Sequence, residues 1–273
     1  MDDLLRAKRA TLCRSLNAYG RVVVAYSGGV DSSLLAAVAH EVLGTEALCV
    51  TAVSPSLSRG ELDSARALAA DRGWNQAEVR TREMEREDYA RNSTDRCYWC
   101  KTELFEVLAP VAAERSATVL IGTNLDDLSD HRPGLRAAEE LHVASPLVEA
   151  GLGKADVRAL SRDLDLPTAE KPSSPCLASR IAYGIRVTPS GLRRVDRAET
   201  FVRSLGFSVV RVRDHGSAAR VEVGRDEVPR ALTLEERIGD ELRSMGYSSV
   251  SVDPEGYRMG SLNALPIVET PTV

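Results

Sequence analysis

A glycine-rich turn between an apolar strand and an apolar helix constrains this chain more than any other feature. The strand is predicted over 22–26, the turn reads Ser-Gly-Gly-Val-Asp-Ser over 27–32, and the helix runs over 33–43. A helix that starts at the end of a strand presents free N–H groups and its positive dipole end to an anion. Glycines let the backbone approach phosphate oxygens closely. The candidate phosphate-binding residues are Ser27, Gly28, Gly29, Asp31 and Ser32.

This turn differs from the two common phosphate loops. A Walker loop needs a Lys before its last Ser or Thr, but Asp31 precedes Ser32, and Gly28-Gly29 does not extend to Gly-x-Gly-x-x-Gly. An ordinary strand-to-helix turn, with Asp31 or Ser32 as N-cap, is the alternative. The whole string instead resembles the PP-loop of ATP pyrophosphatases, which cleave ATP between its α and β phosphates and leave an adenylate on the substrate.

Composition limits the classes of function that remain. The chain has 273 residues and a formal net charge of −5, which weakens the case for nucleic acid as the main partner. It has no apolar run of membrane-spanning length and no basic, apolar start typical of a signal peptide. An odd number of cysteines argues against a disulfide scaffold and fits a cytoplasmic protein. The five are Cys13, Cys49, Cys97, Cys100 and Cys176.

Strands and helices alternate through the first half of the chain. Apolar strands are predicted over 47–53, 77–81 and 118–122, with helices over 58–72 and 103–114. This order predicts an α/β fold with an open parallel sheet, whose ligands sit at the carboxyl ends of the strands. We therefore expect the loops after Tyr26, Val53 and Ile121 to converge, and Ala52 to lie beside the nucleotide.

A second domain is predicted after a Pro- and Ser-rich linker over 166–175. The order helix 192–205, strands 208–213 and 219–223, helix 232–245 and strand 249–252 predicts a small α+β domain. The predicted domains are a PP-loop domain over 1–188, an α+β domain for substrate or oligomer contacts over 189–262, and a loosely ordered tail over 263–273.

The loop after the predicted fourth strand carries a second polar motif, Gly-Thr-Asn-Leu-Asp-Asp over 122–127. Gly122 and Asn124 would lie on the nucleotide, and Asn124 could read an edge of it. Asp126 and Asp127, with Asp130, could hold Mg²⁺, which prefers oxygen ligands and often bridges to phosphates. The alternative is an Asx-rich loop that caps the next helix.

Three cysteines lie in motifs. Cys97 and Cys100 form Cys-x-x-Cys, a pair that can bind zinc, hold an iron–sulfur cluster, exchange thiols, or simply pack. Lys101 beside them could complete a phosphate site that lacks a Walker Lys. Cys176 lies between the cations Lys171 and Arg180, which favour a reactive thiolate, although a linker Cys of no consequence is the alternative.

Four strings in this order resemble the LarE family of ATP-dependent sulfur transferases: SGGVDSS, CYWCK, GTNLDDLSDHRPG and PSSPCLASRI. The resemblance covers most of 20–225. It implies a PP-loop domain with a small second domain, often in a hexamer, and Asp31, Lys101, Cys176 and Arg180 as catalytic residues. The implied substrate is pyridinium-3,5-biscarboxylic acid mononucleotide, whose carboxylate is adenylated by Mg²⁺-ATP and converted to a thiocarboxylate for the nickel-pincer cofactor.

The same resemblance assigns Arg211 and Arg213 to the substrate phosphate, a role that suits the fork of arginine. Two exposed arginines on an edge strand are the alternative. The sulfur step has two forms in this family: sacrifice of the sulfur of the Cys176 position, or a 4Fe–4S cluster on three cysteines. Cys97, Cys100 and Cys176 favour the cluster, with one iron left open.

Three rival functions remain at this point. A tRNA thiolase and an amide-forming synthetase would share the loop. The acidic net charge of the chain argues against the tRNA thiolase, and an amide-forming synthetase would not need the three cysteines found in motifs. A non-enzymatic nucleotide sensor would bind ATP without needing Cys176.

Overall fold

The computed structural model of the chain describes residues 2–128, 133–258 and 262. Contacts divide the chain into two compact units. The first unit comprises Met1–Glu83 and Cys97–Ser174, and the second comprises Met84–Arg96 and Pro175–Val273. The described residues include no helix that is long and apolar enough to cross a membrane.

Helices and strands alternate along the first unit. Its strands are β1 (Val22–Ala25), β2 (Ala47–Val53), β3 (Gln76–Arg80) and β4 (Thr118–Leu120). Its helices are α1 (Asp3–Tyr19), α2 (Val30–Leu43), α3 (Arg59–Asp71), α5 (Arg96–Arg115, whose first residue belongs to the second unit), α6 (Leu125–Leu128), α7 (Pro133–Glu140), α8 (Pro146–Glu149) and α9 (Lys154–Asp163); α4 (Glu87–Ala90) belongs to the second unit.

The four strands form one parallel sheet in the order β3-β2-β1-β4. β1 is central, and Val22, Val23 and Val24 are all fully buried because helices cover both faces of the sheet. Val22 and Val24 pack with Leu34 of α2, whereas Val23 packs on the other face with Leu108 of α5. The predicted α/β class is confirmed. Strand order reverses between β1 and β4, so the crevice for a ligand lies at the carboxyl ends of these two strands.

The second unit contains the α+β elements that the sequence predicts. They are α10 (Pro189–Ser204), β5 (Val210–His215), β6 (Ala218–Val223), α11 (Val228–Thr233), α12 (Glu235–Ser244) and β7 (Ser249–Val252). β5 and β6 are antiparallel, and β7 adds parallel to β6. Residues 178–181 reach this sheet, because Ile181 pairs with Asp214 of β5. This pairing explains why the second stretch of that unit already begins at Pro175; the predicted boundary at 188 stays a prediction.

Three local predictions differ from the structure. The helix predicted over 103–114 begins at Arg96, so Cys97 lies in its first turn and Cys100 at the start of its second. The helix predicted over 232–245 is two helices, because Leu234 ends α11 and precedes α12. The strongly charged stretch over 82–96, for which the sequence predicts no regular structure, contains a 3-10 turn at Glu83–Glu85 and the short helix α4. The predicted tail over 263–273 lies outside the described residues.

Candidate active site

The glycine-rich turn joins β1 to α2 and forms a cradle of hydroxyl and amide groups. Gly29 is the N-cap of α2, so the N–H groups of the first helical turn face away from the helix body. The hydroxyls of Ser27 and Ser32 lie 3.0 Å apart across the turn, and the Gly29 amide lies 3.4 Å from the Ser27 Oγ. This arrangement of donors at a helix N-terminus suits a phosphate group.

Helix α3 braces the turn from one side. Gly28 has a φ of +70°, and a Cβ on it would lie 2.7 Å from the Cβ of Ala65. The hydroxyl of Tyr26 donates to the Ala65 carbonyl at 3.2 Å, and burial raises the pKa of Tyr26 to about 12. Tyr26 therefore stays protonated and acts as a fixed donor, and Gly28 is required by both conformation and space.

The loop after β4 packs directly against the turn, as the sequence predicts. A Cβ on Gly122 would lie 2.9 Å from the backbone nitrogen of Ser32, so this glycine allows the two loops to touch. The fully buried Asn124 donates through Nδ2 to the Asp31 carboxylate at 3.0 Å. The loops after β1 and β4 thus meet at the switch point of the sheet, with Asp31 between them.

Lys154, which the sequence analysis missed, completes this contact. It is the first residue of α9, and its Nζ lies 2.5 Å from the second Asp31 oxygen. The Asp31 side chain is only 23% exposed, so it is held from two sides in a partly desolvated place. The local sequence pattern could not predict this contact, because Lys154 lies 123 residues away from Asp31 along the chain.

Asp126 and Asp127 serve the loop itself. One carboxylate oxygen of Asp126 accepts the backbone N–H of Lys154, and one of Asp127 accepts the backbone N–H of Asn124 at 3.1 Å. These contacts match the capping alternative for this loop. Asp130 lies outside the described residues.

Lys171, in the Pro- and Ser-rich linker, also contacts the turn. Its Nζ donates to the Gly28 carbonyl at 3.0 Å and forms an ion pair with Glu61 of α3 at 2.6 Å. Arg158 of α9 in turn donates to the Lys171 carbonyl at 3.0 Å, which fixes the linker backbone. The ammonium group and the loop carbonyl are therefore held together by three elements.

Two further predicted residues lie on neighbouring elements. Ala52 is half-buried near the end of β2, the strand next to β1, where it pairs with Val79. Lys101 lies on α5 beneath α7, since a Cβ on Gly134 would come 2.8 Å from its Cγ. Lys154 and Lys171 therefore contact the glycine-rich turn, whereas Lys101 packs near Gly134 of α7.

The Cys-x-x-Cys pair opens α5. Cys97 is exposed and Cys100 is half-buried, and their i, i+3 spacing puts both thiols on one helix face. Two accessible thiols on one face fit two ligand positions of a metal cluster. Within residues 2–128, 133–258 and 262, no three His, Cys, Asp or Glu side chains gather into a group that could hold a metal ion. Cys13 lies in α1 and Cys49 is buried in β2, apart from this motif; burial raises the pKa of Cys49 to about 12.

Cys176 belongs to the second unit, where a buried arginine holds its backbone. It is half-buried at the start of a 3-10 turn, Leu177–Arg180. Arg180, which is only 2% exposed, donates to the Cys176 carbonyl at 3.1 Å and to Glu199 at 2.8 Å. Burial alone raises the pKa of Glu199, but Arg180 and Arg203 outweigh it and leave that pKa lowered. Arg180 therefore fixes the backbone of the Cys176 segment, and Glu199 balances the charge of Arg180.

Arg211 and Arg213 lie on β5, at the edge of the second sheet, and both are buried. The alternative of two exposed arginines is therefore wrong. Arg213 forms an ion pair with the fully buried Glu222 at 2.8 Å. Arg211 donates to the Val210 carbonyl and lies 5.2 Å from the centre of the Tyr257 ring, and burial lowers its pKa. A guanidinium whose charged form is disfavoured by burial gains from an anionic ligand.

Comparison with known proteins covers both units. Residues 5–115 match the family described as asparagine synthase. Over 95% of this chain and 95% of its own length, a protein of Lactiplantibacillus plantarum named pyridinium-3,5-bisthiocarboxylic acid mononucleotide synthase is 38% identical. An uncharacterized protein of Synechocystis is 42% identical over 95% of this chain and 98% of its own length. One of Methanocaldococcus jannaschii is 30% identical over 87% and 91%.

Proposed function

Because the chain belongs to the LarE family of PP-loop enzymes, we propose that its substrate is pyridinium-3,5-biscarboxylic acid mononucleotide. The chain is an ATP-dependent sulfur transferase. In the proposed reaction a substrate carboxylate oxygen attacks the α-phosphorus of ATP, and pyrophosphate leaves. A sulfide then displaces AMP from the acyl adenylate, and the product is the thiocarboxylate needed for the nickel-pincer cofactor.

The observation that carries this proposal is the cradle at the switch point, where the turn after β1 meets the loop after β4. The α2 amide groups and the Ser27 and Ser32 hydroxyls would bind the phosphates, with Gly28 and Gly29 allowing their approach. Lys154, which pairs with Asp31, would supply the positive charge that a Walker lysine supplies elsewhere, and Lys171 donates to the Gly28 carbonyl of the turn. Ala52, on the adjacent strand end, is proposed beside the nucleoside.

Magnesium fits this site through Asp31. Its carboxylate is the acidic group in contact with both loops, and Mg²⁺ bound there would offset charge as pyrophosphate departs. We propose that Asp126 and Asp127 mainly hold the loop, because each caps a backbone N–H. Lys154 would keep the Asp31 carboxylate oriented until nucleotide arrives.

The adenylation step is tested by mixing the protein with Mg²⁺-ATP and the pyridinium dicarboxylate and measuring pyrophosphate. Asp31→Ala should abolish the release, whereas Glu41→Ala, an exposed acidic residue later on α2, should not change it. Release that does not depend on the acid, or that persists in Asp31→Ala, would contradict the proposal. A nucleotide sensor would bind ATP and release no pyrophosphate.

The sulfur step is proposed to use Cys97, Cys100 and Cys176. These thiolates would hold a 4Fe–4S cluster, which when bound supplies an open iron for sulfide. The support is the ligand count and the shared helix face of Cys97 and Cys100. Sacrifice of the Cys176 sulfur is the competing route, and Arg180 would orient the Cys176 segment in either one.

Iron analysis and intact-protein mass spectrometry separate the two routes. If a cluster carries the sulfur, Cys97→Ala, Cys100→Ala and Cys176→Ala each lose iron and thiocarboxylate formation but keep pyrophosphate release. The control Cys13→Ala changes none of these three quantities. With sacrifice, only Cys176→Ala stops transfer, and the protein loses the mass of hydrogen sulfide after one turnover. A mass loss with no iron bound would end the cluster proposal.

The remaining assignments extend the same proposal. Arg211 and Arg213 are proposed to bind the substrate phosphate, Arg211 by direct contact. Lys101, one turn after Cys97, is proposed to act near the same reacting groups. We propose a cytoplasmic homo-oligomer, a hexamer by family resemblance, and sedimentation velocity would measure it.

A further inference from the structure

We propose that Lys171 is a positioning residue that locks the peptide between Gly28 and Gly29 in the orientation that binds phosphate. This inference rests on the proposed nucleotide site and adds a role for a residue outside the loop. It starts from one contact, the 3.0 Å hydrogen bond from the Lys171 ammonium to the Gly28 carbonyl.

The geometry of a peptide unit gives this contact its consequence. The Gly28 carbonyl and the Gly29 N–H belong to one planar trans peptide, so they point in opposite directions. When Lys171 holds the carbonyl on the linker side, the Gly29 N–H must point to the other side. There it lies 3.4 Å from the Ser27 hydroxyl, within the cradle formed with Ser32.

This peptide needs a lock because both of its residues are glycine. A half-turn of the peptide carries the φ of Gly29 from −82° to about +100°, a region that only glycine enters readily. The turned peptide would present a carbonyl oxygen, rather than an N–H, to the phosphate. Because the two orientations differ little in intrinsic energy, an outside contact decides between them.

Lys171 is held in a position from which it can select one of the two peptide orientations. Its side chain is only 20% exposed and pairs with Glu61, which is 25% exposed, at 2.6 Å. Glu61 is fixed in turn, because its backbone N–H is capped by Ser58 at the start of α3. The ammonium group is therefore held beside the Gly28 carbonyl by a carboxylate on α3.

A double-mutant cycle on ATP affinity tests the lock. If Lys171→Met lets the turned peptide reach nine-tenths of the population, the Kd for ATP rises about tenfold, while adenosine, which lacks phosphate, binds as before. In a Gly29→Ala background the turned orientation, which needs a positive φ at residue 29, is strongly disfavoured. Whatever Gly29→Ala alone does to the Kd for ATP, adding Lys171→Met should then change that Kd less than about twofold. An equal effect of Lys171→Met in both backgrounds would overturn the proposal, because it would mean direct phosphate contact.

Two controls complete the experiment. Arg162→Met removes a cation of α9 that pairs with the exposed Glu170 in the same linker as Lys171, so it should leave the Kd for ATP unchanged; a rise as large as that of Lys171→Met would overturn the proposal. In the wild type, inorganic pyrophosphate should shift the Gly29 amide resonance strongly, and in Lys171→Met it should not at equal concentration. Failure of the wild type to release pyrophosphate with the acid would refute the proposed function, whereas normal ATP affinity in Lys171→Met refutes only this inference.

Discussion

Gly28→Ala is the substitution whose cost follows most directly from the structure. Alanine there meets two penalties: a φ of +70° and a Cβ 2.7 Å from the Cβ of Ala65. Gly73 is the matched control, since its φ is +63° but nothing lies within 4 Å of its added Cβ. Gly73→Ala should cost about 1–2 kcal/mol of unfolding free energy from backbone strain alone. Gly28→Ala adds overpacking, typically about 1–3 kcal/mol.

Urea unfolding followed by tryptophan fluorescence measures this difference, because Trp74 and Trp99 both lie in the first unit. Combining Gly28→Ala with Ala65→Gly should recover much of the extra loss, since the obstructing methyl group is gone. ATP affinity should fall in Gly28→Ala and stay unchanged in Gly73→Ala. A Gly28→Ala variant no less stable than Gly73→Ala would refute the packing of the turn against α3.

Two further predictions concern other parts of the molecule. Arg211→Ala should weaken binding of the phosphorylated substrate by about 1.5–3 kcal/mol relative to a dephospho analogue, measured as the ratio of KM values; equal changes for both would remove the phosphate contact. Burial lowers the pKa of His40, whose Nε2 accepts the Asn75 N–H, so the unfolded chain binds a proton that the folded chain does not. Unfolding free energy should therefore fall as pH drops below about 6.5, and His40→Gln should flatten that slope in urea titrations; an unchanged slope would contradict the assignment.

The elements that the sequence predicts well are those with a local signal. The apolar run before Ser27 and the glycines after it specify β1 and the turn without help from distant residues. β2 and β7 appear with the predicted bounds, since apolar or alternating residues end abruptly at each side. Asn124 and Gly122 were also predictable, because residues after parallel strands meet at one sheet edge.

The cations of the site were less predictable, because tertiary packing decides which lysine reaches the loop. Lys101 stands in a recognisable motif but packs beneath α7, whereas Lys154 begins an ordinary helix and reaches Asp31. The burial of the two arginines on β5 could not be predicted from the local sequence either. A strand of alternating Val and Arg predicts exposed arginines, yet Glu222 on the adjacent strand supplies a buried partner for Arg213.

The segment 84–96 has a consequence for how this protein can exchange parts with its relatives. Asn92 donates to the carbonyls of Ala182 and Ile185, and Arg96 donates to that of Ala178. These hydrogen bonds join the two separate stretches of chain that make up the second unit. A single recombination event near residue 174 would import 178–187 from one parent and keep Asn92 and Arg96 from the other. Viable chimeras therefore require both parents to agree at these two positions, and a gene library shuffled at one crossover should be enriched for pairs that do.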